Sequence, residues 1–90
     1  MFKHYVIEGH SMEPRYPRGS HVLVYKTKRV REGDVIAFRL NNNPTTVLIK
    51  RVIKKNDDGS VTVEGDNKAD SLATDPVCRP EIIGKVVLSY

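Results

Sequence analysis

Ser11 stands in the run Gly9-His10-Ser11-Met12-Glu13-Pro14, and 39 residues later Lys50 falls inside Val47-Leu48-Ile49-Lys50-Arg51-Val52-Ile53. A serine at a turn punctuated by Gly and Pro offers an exposed hydroxyl. A lysine within an apolar strand is a candidate base, because desolvation disfavours the ammonium form and lowers its pKa. Together they suit nucleophilic acyl transfer, a Ser–Lys variant of the serine, base and orienter arrangement. Gly9 permits an unusual backbone just ahead of the serine, while Pro14 restricts Glu13 and stops a helix from forming. Backbone amides at such a turn can point at a developing oxyanion. Plainer explanations exist for both residues: a serine that only shapes its turn, and a lysine that snorkels its head to water.

On an extended strand Leu48, Lys50 and Val52 share one face, and Val47, Ile49, Arg51 and Ile53 share the other. Both faces are mostly apolar, so the strand is expected to be covered on both sides, with at least one of its two central cations partly buried. A third cluster is Gly65-Asp66-Asn67, with Ser71 shortly after. Asp and Asn following Gly form Asx turns. Here they could also build a rigid corner that brings the Ser71 hydroxyl to the Lys50 ammonium and orients the base. Cys78 lies in Asp75-Pro76-Val77-Cys78-Arg79-Pro80 without a local base and reads as an incidental or structural thiol.

The elements that must position these residues are strand-like throughout. Expected strands are Tyr5–Glu8, His21–Tyr25, Asp34–Arg39, Thr45–Lys54, Ser60–Glu64 and Ile82–Leu88, each bounded by Gly, Pro, Asn or Asp. Asp58-Gly59 is a strong hairpin signal. No window has the periodicity of an amphipathic helix. About six strands without a crossover helix predict a compact all-β domain, a small barrel or curled sheet. The stretch from Asn67 to Pro80 is the one long irregular segment, a length more often functional than decorative.

Ninety residues allow a single domain, 1–90. The net charge of +4 permits an anionic partner without requiring one. One cysteine excludes an internal disulfide framework. There is neither a secretory leader nor an apolar run of about 18–20 residues, so a soluble, cytoplasmic chain is expected, with membrane contact left to an anchor outside this sequence. His4, His10 and His21 lack metal-ligand spacing.

Four motifs in order then resemble the catalytic domain of type I signal peptidases: Ser11-Met12-Glu13-Pro14, Gly33-Asp34-Val35-Ile36-Ala37-Phe38, Lys50-Arg51-Val52, and Gly65-Asp66-Asn67 with Ser71. The resemblance spans roughly residues 6 to 75, with Gly84-Lys85-Val86 as a closing strand. The related self-cleaving SOS-response repressors share the Ser-Met and the Lys. The resemblance implies a serine endopeptidase with Ser11 as nucleophile, Lys50 as general base and Ser71 orienting the lysine. It places Gly9 at the oxyanion turn, with Asp66 and Asn67 in a supporting corner. It implies a protein or peptide substrate with small side chains before the cut, no metal or organic cofactor, and no specific nucleic acid. The small size is most like that of minimal soluble members, such as the proteases proposed to mature nickel superoxide dismutase. Ala73-Thr74-Asp75 departs from the Asp-Ser-Arg usual after the Gly-Asp-Asn corner.

Two other readings compete. One is a catalytically inactive relative that binds peptide by adding a strand to its edge. The other is a basic nucleic-acid-binding barrel, using Lys26-Thr27-Lys28-Arg29-Val30-Arg31, Lys50-Arg51 and Lys54-Lys55 with Tyr5, Tyr16, Tyr25 and Phe38 as stacking residues.

Overall fold

A computed structural model describes residues 1–40, 43–69 and 75–90. Six strands form one sheet: β1 (Phe2–Val6), β2 (His21–Lys26), β3 (Val35–Leu40), β4 (Asn43–Lys55), β5 (Val61–Glu64) and β6 (Ile82–Ser89). They lie in the order β1-β2-β6-β3-β4-β5, every neighbouring pair antiparallel, and the sheet does not close. The expected all-β curled sheet is what forms. Among the described residues there is no α-helix, and no helix is long and apolar enough to cross a membrane.

β3 explains the architecture. Val35, Ile36, Ala37 and Phe38 are each 5% exposed or less, so the strand is buried on both faces. Ile36 and Phe38 join Val30, Val52, Val61, Val63, Val77 and Ile82 in one core cluster. Val35 and Ala37 join Ile7, Met12, Tyr16, Val22 and Val24 in a second. The period-2 alternation of a strand thus feeds two cores from a single sheet. β4 follows suit: Leu48 and Val52 turn to the first cluster, Val47 and Ile49 to the second.

The elements shift modestly from expectation. β1 begins at Phe2 and ends at Val6, because Ile7 leaves the ladder to exchange backbone hydrogen bonds with Ser20 and Gly19. The stretch before β6 is partly regular: Val61 and Val77 exchange both backbone hydrogen bonds, and a 3₁₀ turn spans Arg79–Glu81. The Asp58-Gly59 hairpin forms as expected, with Gly59 at φ +89° and the Asp58 carboxylate accepting from the Ser60 amide at 2.9 Å. β6 pairs with both β2 and β3 and so joins the two halves of the sheet. A Cβ at Gly84, at the centre of that seam, would collide with the Tyr25 carbonyl.

Candidate active site

Lys50 lies opposite Ile36 in the β3–β4 ladder, on the face of Leu48 and Val52. It is 6% exposed, as expected for a cation in a strand covered on both sides. Its neighbour Arg51 faces the other way and is half-buried. Arg51 Nε and Nη2 donate to Asp66 Oδ1 and Oδ2 at 2.8 and 2.9 Å, and Nη1 donates to the Gly33 carbonyl at 2.7 Å. Such a bidentate pair is among the strongest polar contacts a protein makes. It holds the Asp66 carboxyl below the usual carboxylate range and raises the guanidinium pKa.

The Gly33-Asp34 turn locks the same part of β4 from the other side. Gly33, at φ +93°, donates its amide to the Val52 carbonyl at 2.8 Å, and the Val52 amide returns a bond to the Asp34 carbonyl at 2.8 Å. Gly33-Asp34, Arg51 and Asp66 therefore form one bonded unit that fixes the backbone next to Lys50.

Ser11 sits half-buried in an irregular turn between β1 and β2. Gly9 adopts φ +80°, the left-handed conformation expected of this position. Glu13 N donates to His10 O and Tyr16 N to Met12 O, so the chain makes one helical turn and goes no further. Met12 anchors this turn, being 1% exposed in the second core cluster. His10 Nδ1 lies 2.8 Å from Glu13 Oε2 and holds that carboxyl below its ordinary range.

The Gly65-Asp66-Asn67 corner is bonded directly to the serine turn. Asn67 N donates to the Ser11 carbonyl at 2.7 Å, and Asn67 Nδ2 donates to the His10 carbonyl at 3.0 Å. The Asp66 amide meets Met12 Sδ at 3.4 Å. Asp66 and Asn67 thus tie β4, through Arg51, to the turn that carries Ser11. The sequence suggested the corner but not its two partners. Arg51 in particular was readable only as a second cation in a doubly covered strand, a position that demands an anion. Ser71, and the departure at residues 73 and 74, lie outside the described residues.

Ser11 and Lys50 line one groove of about 530 Å³, bounded by Tyr5–Glu8 on one side and Thr45–Lys50 on the other, with Met12 beneath. Among the described residues no cluster of His, Cys, Asp or Glu could hold a metal ion. Cys78 is exposed, and its amide donates to Glu81 Oε1 at the 3₁₀ turn. The basic-barrel reading needs correction in its details. Tyr16 and Phe38 are core residues, 8% and 1% exposed, so neither can stack on a base, while Lys50 is buried and the half-buried Arg51 is paired with Asp66.

A serine and a buried lysine on one groove, with the corner that braces them, agree with the match of residues 3–87 to the Peptidase S24-like family. No curated protein is matched at a significant level. A match over nearly the whole chain means that this protein belongs to the Peptidase S24-like family and has a serine peptidase-like fold, within the superfamily of signal peptidases and SOS-response repressors.

Proposed function

We propose that the protein is a serine endopeptidase in which Ser11 is the nucleophile and Lys50 the general base, cutting a protein precursor after small residues. The observation that carries the reading is the groove that Ser11 and Lys50 both line, with Lys50 only 6% exposed. A general base must hold its proton loosely, and burial disfavours the ammonium. In the forward step Ser11 Oγ attacks the scissile carbonyl carbon while its proton passes to Lys50 Nζ. The oxyanion takes the Ser11 amide as a donor, at the turn that Gly9 makes accessible. Collapse breaks the C–N bond, and the Lys50 ammonium protonates the departing amine. Water, deprotonated by Lys50, then hydrolyses the acyl ester and restores the serine. Ser71 would orient the lysine.

An extended peptide suits a groove whose walls are the exit of edge strand β1 and the first half of β4. The same walls would serve a strand-binding module that does not cleave. A mixed peptide library rich in Ala-x-Ala segments, read by mass spectrometry, separates the two. We expect cleavage after small residues by the native protein, and a loss of at least about 10³-fold in Ser11→Ala and in Lys50→Met. Cleavage that survives in Ser11→Ala overturns the assignment. Saturable peptide binding without cleavage, unchanged by Ser11→Ala, would establish the binding module instead.

A further inference from the structure

A larger groove lies elsewhere and shares no lining residue with the serine site. It measures about 800 Å³, and its lining includes Lys28, Arg29, Arg31, Lys55, Arg79 and Lys85. A second groove, of about 410 Å³, adjoins it, shares Thr27, Lys28 and Ile82, and adds Lys3, Lys26 and Arg39. Nine of the fifteen Lys and Arg residues therefore line these two adjoining grooves, against only Asp34 and Glu81 among the described acids. The described residues outside the grooves carry six cations and eight acids, so the net charge of +4 conceals an uneven distribution.

The two lining acids are already engaged: Asp34 accepts from the Arg31 amide and Glu81 from the Cys78 amide, both at 2.8 Å. Lys28 bridges to the Pro80 and Ile82 carbonyls and forms the ridge between the grooves. No ion pair between described residues involves any of the nine cations. Clustering unpaired like charges costs electrostatic energy, which an anionic ligand would relieve.

We infer that this surface binds single-stranded nucleic acid, mainly through its phosphates. The walls decide between that ligand and an acidic peptide. Strand addition and helix docking of a peptide need an unpaired edge or an apolar groove, whereas an acidic motif needs only a cluster of arginines, so exposed rings must tip the choice. In the larger groove the apolar lining residues Val30, Val61 and Ile82 are core residues at most 4% exposed. The bordering strand segments are paired, Lys26 with Gly84 of β6 and Val61 with Lys55 and Val77. The exposed side chains of the larger groove are cationic, plus one ring. Tyr25 lines the larger groove at 42% exposure, with the Phe2 ring 5.5 Å away at 56%. A single strand asks for that combination, cations along its backbone and an aromatic face for a base.

The test is fluorescence anisotropy with a labelled 15-nucleotide oligo-dT across a salt series. Engagement of about four phosphates gives a log–log salt slope near −3, or roughly a 50-fold loss of affinity between 50 and 200 mM salt. Arg29→Glu with Arg31→Glu should weaken binding by at least tenfold. The same charge change at Arg15 and Arg18, outside the grooves, should leave it within about twofold. Ser11→Ala should bind like the native protein, so this inference stands or falls apart from the peptidase reading. Equal losses in the two double variants would reduce the effect to net charge and overturn the site. Competition by poly-glutamate of matched charge as effective as by oligo-dT would overturn the nucleic acid in favour of an acidic protein segment. Circular dichroism melts confirm that each variant is folded.

Discussion

Arg51 and Arg31 approach the same turn from opposite sides and do opposite things. Arg51 reaches the Gly33 carbonyl from within, closes a bidentate pair on Asp66, and belongs to the frame around Ser11 and Lys50. Arg31, two residues before Gly33, engages Asp34 through its backbone alone and is a lining residue of the large cationic groove. At the serine site a few charges are enclosed and placed by partners. On the other face many charges are gathered and left for an outside anion. Enclosed charges must be matched or the fold loses stability, whereas exposed like charges cost little each and are kept for what they attract. Each contrast can be broken by substitution.

Met12→Ala tests whether the serine turn is held by packing. The side chain is 1% exposed, so truncation should cost about 2–4 kcal/mol, read from urea unfolding. The Met12 thioether also meets the Asp66 amide, so both anchors of the turn loosen together. If the turn is as rigid as it looks, peptide cleavage should fall by more than the unfolded fraction explains, while oligo-dT binding by the remaining folded protein is unchanged. Equal damage to both activities would mean that the two regions are not mechanically separate.

Asp66→Asn is expected to do less, about 1–2 kcal/mol, because Arg51 keeps the Gly33 carbonyl but loses its charged partner in a partly enclosed position. The pH dependence gives a sharper signature. Arg51 depresses the folded-state pKa of Asp66. The stabilisation is therefore present above the unfolded carboxyl value, about 3.9, and is lost as pH falls through the lower folded value. Native protein should lose stability through that acid window, and Asp66→Asn should show a flatter acid limb. Two parallel acid limbs would show that the pair contributes nothing to the fold.

How much of this could be seen in the sequence follows from how local each feature is. The alternation around Lys50 is local, and two mostly apolar faces were enough to expect a covered strand and a buried cation. Asp58-Gly59 encodes its own turn. The partner of Arg51 was hidden, because Asp66 lies 15 residues away across the β4–β5 hairpin. So was the placing of β6 between β2 and β3, which depends on packing summed over distant segments rather than on any motif. That same return sets Lys85 and Arg79 beside Arg29 and Arg31, so the cationic surface is invisible as a run of charges. The stacking residues Tyr16 and Phe38 failed for the complementary reason. A large ring in a small domain is worth more in the core than on a face, and both rings are buried there.

The smallest expected effect is the most telling for the contrast. Arg29→Ala with Arg31→Ala removes two exposed cations that no acid pairs with among the described residues. Arg31 keeps its backbone bond to Asp34, and Arg29 keeps its bond to Thr27 Oγ1, since both use amides that alanine retains. Stability should therefore change by no more than about 0.5 kcal/mol, and relief of like-charge repulsion favours a slight gain. A loss beyond about 1 kcal/mol would show that these arginines hold the fold as Arg51 does, and the division between matched and waiting charge would fail at its clearest point.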